Sequence, residues 1–189
     1  TLDVRDNHWR YRDDFTRDNR LIAGYTYSNR IDSSFRIKAG ITGNLIGYDF
    51  FQLKLDRNST LNINEIPLGG KQVEGAGYSG TLQAYGQGVY SINSRLNISG
   101  GVNFLMLLLN RTASVDPRLS FRYQLKASHR VSLALGKYSQ HLPLPAYLFT
   151  LPDTLPNGSV EIDYINKNLP LMYSNHVILS YEYATTNQF

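Results

Sequence analysis

The chain contains no cysteine, and it has no long uninterrupted apolar run. The absence of thiols excludes disulfides, zinc–thiolate sites and a cysteine nucleophile. The longest apolar run, residues 104–109, is far shorter than the roughly 18 residues that a transmembrane helix needs. Residues 1–6 lack the apolar core of a signal peptide, so we expect either that a signal was removed or that this is an internal piece of a longer protein.

Charge is also limited, and no segment of useful length has the apolar period of a helix. The formal net charge is only +4, and the basic residues are spread along the chain without the cluster that a nucleic-acid surface needs. We therefore expect no nucleic-acid partner. Tyrosine is abundant, with 14 residues against one tryptophan. It favours strands and is common at membrane interfaces, although soluble β proteins use it too.

Alternation of apolar and polar residues with a period of two predicts an all-β protein of about seven antiparallel strands. The clearest hairpin joins 116–125 to 129–140, with Leu119 and Phe121 on one face and Ser120 and Arg122 on the other. The predicted strands are 20–29, 34–43, 81–92, 95–106, 116–125, 129–140 and 175–184, with a possible short strand at 160–165.

This alternation alone does not separate two architectures. A soluble β-sandwich points its apolar face inward, whereas a transmembrane barrel points it toward lipid. The connections favour the barrel, because short turns alternate with long connections, of which the longest are 44–79 and 138–174. Outer-membrane barrels sort short turns to one end and long outer loops to the other, and strands of about ten residues suit an oblique crossing.

The segment from Asp116 to Gln140 carries a family resemblance. Its Asp-Pro-Arg strand start and its Gly-Lys-Tyr-Ser-Gln end, followed by a loop with Pro143 and Pro145, resemble the late barrel segment of TonB-dependent receptors. The resemblance is to the subgroup of these receptors that carries a carboxypeptidase-regulatory-like N-terminal domain. Residues 175–183 fit the next strand, and the resemblance covers about 79–189.

The resemblance implies a bacterial outer-membrane localisation and an antiparallel up-and-down transmembrane β-barrel of 22 strands. We expect residues 1–189 to be part of one such barrel domain, without the plug domain. The implied function is import of a scarce nutrient: a metal chelate, an oligosaccharide, cobalamin or a peptide. The implied partners are membrane lipid, the plug domain of the same parent chain, and an inner-membrane energy-transducing complex that acts through the plug.

Polar side chains in the strands are the candidate site residues, because they would line the barrel lumen or brace the plug. These lumen-facing candidates are Arg36, Lys38, Gln83, Gln87, Arg122, Gln124 and Glu182. A purely structural role, in which they only solvate the inner wall, is the competing interpretation.

No catalytic residue, metal site or cofactor is predicted. Asp13, Asp14 and Asp18 lack the spacing of a calcium loop. Ser139 and His141 lack a nucleophile elbow, so a turn or loop role is expected for both. Two alternatives to the receptor stay open: a small outer-membrane barrel enzyme acting on lipid, and a soluble β-sandwich binding module.

Overall fold

The computed structural model describes residues 12–54, 71–154 and 160–185, and over these ranges the chain is almost entirely β. The one short helix is α1 (Leu144–Tyr147). The strands are β1 (Arg12–Arg30), β2 (Phe35–Lys54), β3 (Lys71–Ser91), β4 (Leu96–Leu107), β5 (Ala113–Lys126), β6 (His129–Gln140), β7 (Phe149–Thr154), β8 (Val160–Tyr164) and β9 (Met172–Tyr183).

The main sheet is an up-and-down meander in the order β1-β2-β3-β4-β5-β6-β9. The registers from β3 to β6 and on to β9 are antiparallel. The all-β antiparallel prediction is therefore confirmed, and the arrangement is compatible with a segment of a β-barrel. Over the described residues the sheet is open, with β1 and β9 at its two ends.

The first strands are longer than the sequence pattern predicts. β1 begins at Arg12, β2 continues to Lys54 and β3 begins at Lys71, so part of the connection predicted at 44–79 is strand. Residues 55–70 of that connection lie outside the described part. The polar and glycine-rich composition hid these extensions, because alternation is weak there and glycine lowers strand propensity.

The connection predicted at 138–174 also contains regular structure. It holds the short helix α1 and the strands β7 and β8, which pair with each other. β8 corresponds to the possible short strand predicted at 160–165. Pro152 lies opposite Ile162 in that pair, although proline argued against a central strand at this point. The position is compatible with proline because β7 lies off the main path of the sheet and pairs with β3 only at Val73 and Gln72.

Side-chain oxygens close two of the short turns in the same way. Asp32 Oδ1 accepts hydrogen bonds from the backbone N–H groups of Ser34 at 2.6 Å and Phe35 at 2.8 Å. Asn93 Oδ1 accepts from Arg95 and Leu96, both at 2.9 Å. Asp and Asn favour such turns because a short side chain can bond to the backbone two or three residues on.

The contact pattern divides the chain into two compact units. One comprises 21–45, 80–141 and 170–189 and contains most of the meander; we call it the sheet unit. The other comprises 1–20, 46–79 and 142–169; we call it the loop unit. No helix of the described ranges is long and apolar enough to cross a membrane.

The loop unit has a small core of its own. Tyr147 is fully buried, and its hydroxyl accepts the backbone N–H of Leu142 at 3.2 Å. Leu148 packs on Gly75, where an added Cβ would lie 3.2 Å from the leucine Cδ1. The other buried apolar residues of this unit are Ile46, Phe50, Val73 and Leu144.

Candidate functional site

The sheet unit has one apolar and one polar face, because residues that lie opposite each other in antiparallel strands share a face. Phe121 lies between Ile98 and Leu133 in the register. The next residue, Arg122, lies between Asn97 and Ser132. The two side chains therefore point to opposite sides of the sheet, as their alternation predicts.

The seven candidate residues all lie on the polar face. On β3, Gln83 and Gln87 lie opposite Leu105 and Gly101 of β4. These two β4 residues are an even number of positions from Asn97, so they share its face of the sheet. On β5 and β9, Gln124 and Glu182 both lie opposite Arg130. On β2, Arg36 and Lys38 share a face with Gly40. Gly40 lies against the ring of Tyr85, which is on the same face of β3 as Gln83 and Gln87.

At one end of the polar face, Arg130 joins Gln124 to Glu182. Its Nε donates to Gln124 Oε1 at 3.0 Å, and its Nη1 donates to Glu182 Oε2 at 3.1 Å. The Gln124 amide also donates to the Lys126 carbonyl at 2.8 Å, at the β5–β6 turn. These contacts link neighbouring strands, as the structural interpretation of Gln124 and Glu182 predicts.

Two aromatic side chains hold cations on the middle of the polar face. The Lys38 ammonium lies 6.0 Å from the Tyr85 ring centre, and the Arg118 guanidinium lies 4.2 Å from the Tyr138 ring centre. Attraction between a cation and the face of an aromatic ring favours both arrangements.

Glycines make room for these side chains. A Cβ at Gly40 would lie 2.6 Å from the Tyr85 ring, closer than real Cβ contacts. A Cβ at Gly136 would lie 3.2 Å from both Arg118 Cγ and Tyr138 Cε2. At Gly101 the clash would be with Gln87 Cβ, at 2.8 Å. The polar face is thus hollowed beside the larger side chains.

The resulting groove has a volume of about 550 Å³. Its polar side chains are Lys38, Tyr85, Gln87, Ser99, Asn103, Arg118, Ser120 and Tyr138. A second, smaller groove of about 320 Å³ is lined by Arg30, Arg36 and Arg122 with small polar residues. Neither lining includes an aspartate or glutamate. We call the larger one the cationic groove.

A buried carboxylate lies where β5 and β6 separate. The β5–β6 register ends with Arg118 opposite Gly136. Pro117, which precedes Arg118 in β5, has no N–H to donate. Asp116, with no exposed surface, lies just beyond. It accepts the Ser139 backbone N–H at 2.9 Å, the Ser139 hydroxyl at 2.7 Å and the Ser114 hydroxyl at 2.9 Å.

Lys137 completes this cluster. Its Nζ donates to Ser114 Oγ at 3.0 Å and lies 4.0 Å from Asp116 Oδ1. The same ammonium lies 5.2 Å from the Tyr173 ring centre on β9. Opposite charge and several donors offset the cost of burying a carboxylate. The cluster links three strands, so we assign it a structural role.

The sequence pattern did not identify Asp116 as a site residue. Its signal was the Asp-Pro-Arg start together with the Gly-Lys-Tyr-Ser-Gln end, which were noted as two separate motifs. The structure brings them together, since Asp116 binds Ser139 and Arg118 stacks on Tyr138. Ser139 lies in β6, so the turn or loop role expected for it is corrected, and its hydroxyl donates to Asp116.

No group of three potential metal ligands occurs among the residues that the structure describes. Asp18 instead forms an ion pair with Arg20 at 2.8 Å. The side chains of Asp13 and Asp14 lie outside the described ones, so the absence of a calcium site there stays a prediction.

The fold and this geometry define the class of the protein: an antiparallel up-and-down β-sheet with one apolar and one polar face, the polar face carrying the cationic groove. Comparison with protein-family models, with curated proteins and with solved structures finds no match for the chain.

Proposed function

We propose that the chain forms part of the wall of a TonB-dependent receptor, a plugged β-barrel of the bacterial outer membrane. The observation that carries the proposal is the uncovered apolar face of the sheet unit. Leu119 and Leu135, on neighbouring inner strands, are 40% and 38% exposed, and Val177 on β9 is 75% exposed. A soluble sandwich would cover such a face with a second sheet, whereas lipid leaves it uncovered by protein.

Strand length and the order of connections also support a membrane barrel. β4, β6 and β9 each contain 12 residues, enough for a tilted strand to cross the hydrocarbon layer. The turns at 31–34, 92–95 and 127–128 are short and lie at one end of the antiparallel strands. The longer connections join the other ends of the strands in sequence, the order in which outer loops occur in bacterial barrels.

The polar face would then face the lumen and the plug domain of the parent chain. Arg36, Lys38 and Arg122 project on this face without a carboxylate partner among the described residues. Energy for import would reach the plug from the inner-membrane complex. The proposed cargo is a scarce nutrient: a metal chelate, an oligosaccharide, cobalamin or a peptide. The receptor is proposed to transport its cargo without chemical change.

The test uses the complete protein that contains this chain, expressed in a Gram-negative host. We expect it in the outer-membrane fraction, soluble only with detergent, and migrating on unheated gels as a folded barrel that heating unfolds. Uptake of its cargo should stop when the proton gradient is collapsed. Recovery in the aqueous fraction without detergent would contradict the membrane assignment and favour the soluble sandwich.

A second measurement tests whether the chain is a segment. The described sheet has two open edges, and hydrocarbon cannot satisfy the unpaired backbone groups of an edge. Residues 1–189 alone should therefore fail to refold in lipid into a heat-resistant barrel, while the complete protein succeeds. A closed, heat-resistant barrel from these residues alone would instead favour the small barrel enzyme, which would need a serine–histidine pair close in space.

A further inference from the structure

The cationic groove has an imbalance of charge that the receptor proposal does not explain. Lys38 and Arg118 line it, and no carboxylate does. Both cations also have no carboxylate partner among the described residues. Arg118 stacks on Tyr138 and Lys38 lies 6.0 Å from the Tyr85 ring centre, and both arrangements leave N–H donors available. Unpaired cations gathered on a concave surface attract anions and raise their local concentration.

The groove is also built to hold its shape. Gly40 admits the Tyr85 ring, and Gly136 admits the stack of Arg118 on Tyr138. The Tyr85 hydroxyl lies 3.4 Å from Thr26 Oγ1, a long contact at the far end of the ring. Side chains that are already ordered lose little entropy when a ligand arrives, so an arrangement of this kind favours binding.

We propose that the cationic groove binds a small solute that carries two or more anionic oxygen groups, either carboxylates or phosphates. Lys38 lies on β2 and Arg118 on β5. Three strand spacings of about 4.8 Å separate these strands, or roughly 14 Å between their backbones. Lys38 lies near Tyr85 on β3, and Arg118 lies over Tyr138 on β6. Two positive charges separated over several strands suit a solute with more than one anionic group.

The size and polarity of the groove agree with such a solute. A volume of about 550 Å³ lies within the range of small-molecule sites. Between the two cations, Gln87, Ser99, Asn103 and Ser120 offer neutral donors and acceptors for the remaining polar atoms of the solute. The inference stands on the sheet unit alone and does not require that the solute be the transported cargo.

The test is calorimetric titration of the complete protein in detergent with citrate, pyrophosphate and the neutral triethyl ester of citrate. Citrate or pyrophosphate should bind, and the ester should not. Tighter binding of pyrophosphate would identify phosphate as the preferred group, and tighter binding of citrate would identify carboxylate. Absence of binding by both anions, or equal binding of the ester, would overturn the proposal.

Variants then locate the site. Lys38→Met and Arg118→Met should each weaken binding by about tenfold, the loss expected for one charge-assisted hydrogen bond. The matched controls are Lys126→Met and Arg95→Met, which remove the same charges from exposed positions outside the groove. The controls should retain the wild-type affinity. Equal weakening in all four variants would mean attraction by net charge alone, and would overturn the assignment to the groove.

Discussion

The Asp116 carboxylate accepts the backbone N–H of Ser139 at 2.9 Å, just beyond the last β5–β6 register pair. A side chain thus takes the place of the backbone acceptor that the strand ladder would have supplied. The change from ladder to side-chain pairing falls next to Pro117, which precedes Arg118 and has no N–H to donate. The Ser139 hydroxyl also donates to Asp116 at 2.7 Å, a contact that requires the aspartate and serine side chains of the two motifs.

We expect Asp116→Asn to destabilise the complete protein by about 1–3 kcal/mol, because an amide would point a donor at groups that are themselves donors. The control is Asp18→Asn, the same change in an exposed ion pair, which should cost about 0–1 kcal/mol. Urea unfolding in detergent or lipid measures both. Equal effects would show that the buried hydrogen bonds of Asp116 contribute no more than a surface charge.

Phe121→Arg should impair insertion into lipid by about 2–4 kcal/mol if the site lies near the bilayer midplane, because the phenylalanine belongs to the apolar face. Ser120→Arg introduces the same side chain one residue earlier, on the polar face. It loses the 2.6 Å hydrogen bond to Ser99 and should cost less. A lipid-refolding titration compares the two variants, and equal losses would remove the lipid-facing assignment.

Gly80→Ala should destabilise the sheet unit by about 1–3 kcal/mol, because the added methyl group would overlap the backbone carbonyl oxygen of Asn44. That oxygen cannot move without shifting β2. Gly86→Ala on the same strand meets no atom within 4 Å, so it should be neutral or slightly stabilising. The midpoints of thermal unfolding distinguish the two, and a neutral Gly80→Ala would contradict the close approach of β2 and β3.

Tyr147→Ala should loosen the loop unit, since this buried side chain is the largest in its core; removal of a buried aromatic residue costs about 3–5 kcal/mol. Tyr78→Ala removes a side chain that is 91% exposed and serves as the control. Hydrogen exchange of the Leu142–Thr150 amides should accelerate in the first variant only. Unchanged exchange in Tyr147→Ala would show that the loop unit does not depend on this core.

Most strands of the sheet unit were predictable because apolar and polar side chains alternate along them, most weakly in β3 and with Ile178 as an exception in β9. In β5, for example, Leu119 and Phe121 alternate with Ser120 and Arg122, and a period of two directly reports an extended chain with two different faces. The possible short strand at 160–165 corresponds to β8, in which Val160, Ile162 and Tyr164 alternate with acidic residues. The extension of β2 to Lys54 and the strand β7 were not predictable in this way. Their residues lack alternation, and pairing with distant segments decides their conformation.

By itself, the sequence determined the all-β antiparallel class, the short turns at Asp32 and Asn93, and the common face of Arg36, Lys38, Arg122 and Glu182. These properties are local, since they follow from alternation and from side chains that bond to nearby backbone. Only the tertiary structure decided that Asp116 meets Ser139 and that Lys38 and Arg118 line one groove. Those pairings depend on strand register and on the space left by Gly40 and Gly136, which no local pattern encodes.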